Sequence, residues 1–121
     1  MSAPLNRVTI YTNRIPEMVA FYGRHFGYAT LEIPGDRLIE LRPPGPGLII
    51  QLHQAGKGRK QGQSLVKLVF DVEDVPAFCQ AAKKKGLTFS TLHKSDGYVF
   101  ANARDPSGNP IAVSGRAFRR T

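Results

Sequence analysis

The sequence has a single cysteine, Cys79, so no disulfide can form within the chain. That usage fits a reducing, cytoplasmic setting. No apolar run approaches the ~18–20 residues that a membrane-spanning helix requires, and no membrane partner is expected. The opening stretch Met1 to Asn6 lacks a basic start and an apolar core, so no signal peptide is expected. The three histidines, His25, His53 and His93, are scattered, and no His or Cys cluster stands at metal-ligand spacing. Acidic residues are few, nine against seventeen basic ones, which leaves a net charge of +8.

Such a surplus suggests nucleic acid, so its placement matters. Lys57, Arg59 and Lys60 fall in a Gly/Gln-rich stretch, residues 55–63, that reads as a linker. Lys83, Lys84 and Lys85 close a helix, where cations complement the helix dipole. Arg116, Arg119 and Arg120 belong to a tail expected to fray. Neither a base-stacking aromatic pattern nor a recognition-helix motif accompanies them, so nucleic acid is not an expected partner.

What the sequence does contain is a repeat. Val8 and Ile10 answer to Leu68 and Phe70, Pro16 to Pro76, and Gly27 to Gly86. The helical stripe Ile15, Met18, Val19, Tyr22 becomes Val75, Phe78, Cys79, Ala82, and Ile50/Leu52 becomes Ile111/Val113. An offset of 59 to 61 residues in a chain of 121 is one supersecondary unit used twice. Cys79, on an apolar stripe, is expected to be an inert core thiol.

Alternation and turn chemistry predict βαβββ in each half. The first reads Asn6–Thr12, helix Ile15–Phe26, then Tyr28–Ile33, Arg37–Arg42 and Leu48–His53. The second reads Leu65–Val72, helix Val75–Lys85, then Thr88–His93, Tyr98–Ala103 and Pro110–Ser114. Pro16 suits a first helical turn, Gly27 a helix end, and residues 95–97 a hairpin. In the first strand Val8, Ile10 and Thr12 should pack under the helix. Arg7, Thr9 and Tyr11 should face away from it, toward a cavity or groove. Module one is placed at residues 1–54, the linker at 55–63 and module two at 64–121.

Val8-Thr9-Ile10-Tyr11-Thr12, running into Met18 through Gly27, resembles the vicinal oxygen chelate superfamily. Phe70 through Val75 and Asp105-Pro106-Ser107-Gly108-Asn109-Pro110-Ile111 repeat that likeness in the second half. The superfamily includes glyoxalase I, fosfomycin- and bleomycin-resistance proteins and extradiol dioxygenases. The resemblance implies an α+β fold whose two βαβββ modules form a curved, cup-shaped sheet, commonly within a homodimer. It also implies metal ligands on the first and last strands of each module in metal-using members. The matching positions here are Arg7, Gln51, Lys67 and Ala112, which offer two cations, one amide and a methyl. No metal and no cofactor are therefore expected. A shifted register would bring in His53, with Glu40 and Asp71 nearby, as an off-pattern site; a surface role for His53 is the plainer reading, as for His25 and His93.

Arg7 and Lys67 are equivalent in the repeat, and two readings stay open for them. One is a seat for an anion, with Gln51 orienting it and Thr9, Glu40 and His53 alongside. The other is internal pairing with Glu40, Glu32 or Asp71. Tyr11, Tyr98 and Phe100 are candidate aromatic platforms. The favoured function is a metal-independent small-molecule binding protein for an anionic or aromatic ligand. The alternatives are a lyase or isomerase with an atypical or absent metal site, and a ligand-free structural homologue.

Overall fold

The computed structural model describes residues 1–120 and divides into two compact units, residues 1–60 and 61–121. The first contains β1 (Arg7–Thr12), α1 (Ile15–Phe26), β2 (Ala29–Glu32), β3 (Leu38–Arg42) and β4 (Ile49–Gln54). The second contains β5 (Leu68–Asp71), α2 (Val75–Lys84), β6 (His93–Ser95), β7 (Tyr98–Arg104) and β8 (Pro110–Ser114). Each unit is therefore βαβββ, and the fold is α+β.

Each sheet has four strands in matching order, β1-β4-β3-β2 and β5-β8-β7-β6. The first and last strands of each unit run parallel, and the remaining pairs are antiparallel. Val8, Ile50 and Leu41 form one cross-strand row, and Ile10, Leu52 and Ile39 the next. Leu41, Ile50 and Leu52 are fully buried or nearly so, as are Met18 and Tyr22 of α1. The helix thus covers one face and leaves Arg7, Thr9 and Tyr11 on the other, as alternation along the strand requires. In the second unit Ile111, Val113 and Ala101 form the buried side, with Val75 and Ala82 of α2.

The helices end alike. Gly27 and Gly86 take left-handed backbone at φ 73° and 99°, where a side chain would be strained. The N–H of Tyr28 reaches back to the Tyr22 carbonyl, and that of Leu87 to the Ala82 carbonyl. At the other end, the Asp74 carboxylate accepts from the Ala77 N–H at 3.0 Å and caps α2. Burial pushes the Cys79 thiol above its usual pKa, in keeping with an unreactive side chain.

Three expectations are corrected. The strand expected at Thr88–His93 lies instead at His93–Ser95. Leu87 and Phe89 turn into the core, and Ser90 bonds to β7, its N–H on the Asn102 carbonyl and its hydroxyl accepting from the Asn102 N–H. The ladder starts only where Asp96-Gly97 closes a two-residue hairpin between Ser95 and Tyr98. The strand expected from Leu65 begins at Leu68; the register sets Pro110 opposite residue 67, and a proline has no N–H to offer. The tail expected to fray forms a 3-10 turn, Arg116–Phe118, tied down by a Gly115 N–H bond to the Val99 carbonyl.

The stretch 55–63 is anchored at both ends. Ala55 is buried and its N–H bonds the Thr12 carbonyl, while Gly62 lies against Gly108. Gly108 belongs to the turn built around Asp105. That carboxylate is almost fully buried and accepts from the Ser107 and Asn109 N–H groups and from the Asn109 side-chain amide. Asp105→Ala leaves three donors unmet, one of them buried and two part-buried, and should cost about 2–4 kcal/mol of stability in urea denaturation. Asp105→Asn, which keeps one acceptor, should cost less.

Candidate functional site

The open face of the first sheet is set by register. Thr9, Gln51, Glu40 and Leu31 form one row across β1, β4, β3 and β2. Tyr11, His53 and Leu38 form the next row, and Arg7 and Ile49 the preceding one. Arg7, Thr9, Glu40, Gln51 and His53 therefore share one surface.

Glu40 organises that surface. Its Oε2 accepts from Arg7 Nη1 at 2.8 Å, and its Oε1 from Arg42 Nε and Nη2 at 3.1 and 3.0 Å. The Glu40 side chain is 18% exposed, against 47% for Arg7 and 52% for Arg42. The Arg42 guanidinium, followed by that of Arg7, holds the Glu40 carboxyl below its ordinary pKa. The internal-pairing reading thus describes Arg7, with Glu40 as its counter-charge. Arg42 was not singled out from the sequence, although it follows Glu40 by two residues on the same strand and so shares its face.

Next to this group the Thr9 hydroxyl donates to Gln51 Oε1 at 3.3 Å. His53 Nδ1 lies 2.9 Å from the Gln54 carbonyl, which can only accept, so Nδ1 carries the proton. The His53 ring lies 5.1 Å from that of Tyr11, and the Arg59 guanidinium stands 5.8 Å from the Tyr11 ring centre.

The second sheet presents a different surface. Phe100, Asn102 and Arg104 alternate along β7 and share the face of Ala112 and Ser114 on β8 and of Val69 on β5. Lys67, one residue before β5, donates from Nζ to Asn102 Oδ1 at 2.8 Å and lies 5.9 Å from the Phe100 ring centre. Among the described residues its partner is neutral, and neither Asp71 nor any other carboxylate pairs with it. Asn102 escaped the sequence reading, because a lone amide on a strand gives no signal until the register is known. Lys67, Asn102, Ala103, Arg104, Pro110 and Ile111 line a depression of about 420 Å³. His93 stacks on Phe100 at 5.1 Å, and Tyr98 follows at 6.3 Å.

The positions where the family resemblance puts metal ligands do not suit a divalent ion. In the first unit they hold Arg7, whose guanidinium is bound to Glu40, and Gln51, whose amide oxygen already accepts from Thr9. In the second they hold Lys67 and Ala112. A cation brings donors and no lone pair, and a methyl brings neither. Among the described residues no three His, Cys, Asp or Glu side chains are grouped closely enough to hold a metal.

The Glu40 pairing sets a pH dependence. Because the folded carboxyl titrates below its unfolded value, its stabilising contribution is complete above the ordinary carboxylate range and is lost as pH falls through the folded value. Wild type should therefore be more stable than Glu40→Gln at neutral pH, with the gap closing on acidification. Chemical denaturation of both proteins from about pH 7 to about pH 3 checks this.

The same fold occurs in several solved structures. TnmS3, an antibiotic binding protein from Streptomyces sp. CB03234, is 19% identical, covers 93% of this chain and 94% of its own, and gives a TM-score of 0.77. UcmS2 is 24% identical over 95% and 99% of the two chains, with a TM-score of 0.79. A lactoylglutathione lyase from Agrobacterium tumefaciens is 18% identical over 98% of both, with a TM-score of 0.73. At these identities the likeness establishes the fold alone. A search of curated proteins found no match. The family model of the Glyoxalase/Bleomycin resistance protein/Dioxygenase superfamily matches residues 5–113, nearly the whole chain. The chain belongs to that superfamily.

Proposed function

We propose that this protein is a metal-independent small-molecule binding protein of the glyoxalase and bleomycin-resistance type, and that its ligand is an aromatic anion. The observation that carries the reading is the Lys67 ammonium, which has an amide rather than a carboxylate for a partner and an aromatic ring beside it. Arg104 adds a second cation to the lining of the same depression. A charge with only a neutral partner attracts an anion more strongly than one already met by a carboxylate. By that criterion Lys67 is the anion contact, and Arg7, bound to Glu40, is the weaker candidate. Phe100, stacked with His93, supplies an apolar surface for a ring. The description of TnmS3 as an antibiotic binding protein supports a binding role on this fold.

The proposal extends to assembly and setting. β1 and β2, and β5 and β6, are the edge strands of their sheets. Leu65, Val66 and Val69 leave apolar surface exposed at and just before β5. Covering such edges by a second copy is a common solution, and we propose a homodimer in a cytoplasmic setting. No helix among the described residues is long and apolar enough to cross a membrane.

Two experiments test this reading. Calorimetric titration with 2-naphthoate should show binding that Lys67→Ala weakens by about ten- to a hundredfold, the loss of one charge-assisted hydrogen bond. Arg7→Ala should leave binding unchanged, and equal binding by wild type and Lys67→Ala would refute the seat. Elemental analysis after dialysis should find far less than one divalent ion per chain, and near-stoichiometric metal would overturn metal independence.

A further inference from the structure

The residues after β8 build a feature that the ligand seat does not use. Ser114 Oγ accepts from the Arg116 N–H at 3.1 Å, and the Phe118 N–H bonds the Gly115 carbonyl at 2.9 Å. The turn lies beside the β6–β7 hairpin. A Cβ on Gly97 would sit 3.9 Å from the Arg119 Cβ, so the tail passes close to the hairpin tip.

This packing brings two guanidinium groups to one phenol. The Arg116 and Arg119 Cζ atoms lie 5.4 and 5.9 Å from the Tyr98 ring centre, and Arg116 Nη1 donates to the Tyr98 hydroxyl at 3.3 Å. Among the described residues neither arginine forms an ion pair, and Asp96 in the adjacent turn forms none. Hydrogen bonds from Ser95 and then Arg116 hold the Tyr98 phenol below its ordinary pKa. Attraction to the ring face holds each cation there but neutralises neither. Two like charges gathered on one side chain, with no carboxylate among the described residues paired to either, are matched by an oxyanion carrying two negative charges. Guanidinium groups suit it because their forked N–H donors fit phosphate oxygens.

We infer that Arg116 and Arg119, gathered on Tyr98, form a binding site for a phosphate dianion group, separate from the Lys67 seat. The group belongs either to inorganic phosphate or to a small phosphate monoester.

Calorimetric titration with inorganic phosphate and with phenyl phosphate tests the site. Phenyl phosphate should bind wild type, and Arg116→Gln and Arg119→Gln should each weaken it by about tenfold. Tighter binding of phenyl phosphate than of inorganic phosphate assigns the ester, and equal binding assigns the free ion. Lys67→Ala should leave both titrations unchanged while it impairs naphthoate binding, so the two sites fail or stand separately. As a second readout, bound phosphate should raise the pKa of the Tyr98 phenol, seen as the difference in alkaline absorbance titration between wild type and Tyr98→Phe. Absence of binding by both compounds, or binding that survives both arginine substitutions, would overturn the site and leave the arginines as fasteners of the tail.

Discussion

In each half of the chain the first and last strands are hydrogen-bonded in parallel, and that pairing fixes everything that the open faces present. A shift of one residue would send every side chain of a strand to the opposite face. With Val8 opposite Ile50 and Leu68 opposite Ile111, apolar rows meet the helices in both units. The same register leaves Arg7, Thr9, Gln51 and Glu40 on one open face and Val69, Asn102 and Ala112 on the other. The core enforces the register, and the register distributes the polar chemistry.

From equivalent frames the two halves have built unlike surfaces. In the first, one carboxylate collects two guanidinium groups, so its charges are largely satisfied internally. In the second, the ammonium of Lys67 meets an amide, beside rings and a depression. Repetition conserves the frame because packing demands it. The open faces carry no packing demand of that kind, and they are where the halves diverge in charge and in aromatic content.

Much of this architecture was legible in the chain because it rests on local signals. The stripe Ile15, Met18, Tyr22, the glycines at 27 and 86, and the Asp-Gly hairpin each act within a few residues, and each appears where expected. Thr88–His93 misled because Leu87 and Phe89 follow the core rather than a ladder, a preference set by tertiary contact. Electrostatic pairing was legible only as a set of options. Glu40, Glu32 and Asp71 were equal partners on paper, and only the β3–β4 register brings Glu40 within reach of Arg7. Arg116 and Arg119 looked like a frayed tail because their partner, Tyr98, is distant in sequence.

The central claim is that the second sheet's open face, and not the first, receives the ligand. Side-chain and amide chemical-shift mapping during titration with 2-naphthoate tests it most directly. The account predicts that shifts concentrate on Lys67, Phe100 and Asn102 and saturate together, with the Arg7–Glu40–Arg42 group little affected. Shifts centred on Arg7, Thr9 and Gln51, with Lys67 and Asn102 silent, would contradict it.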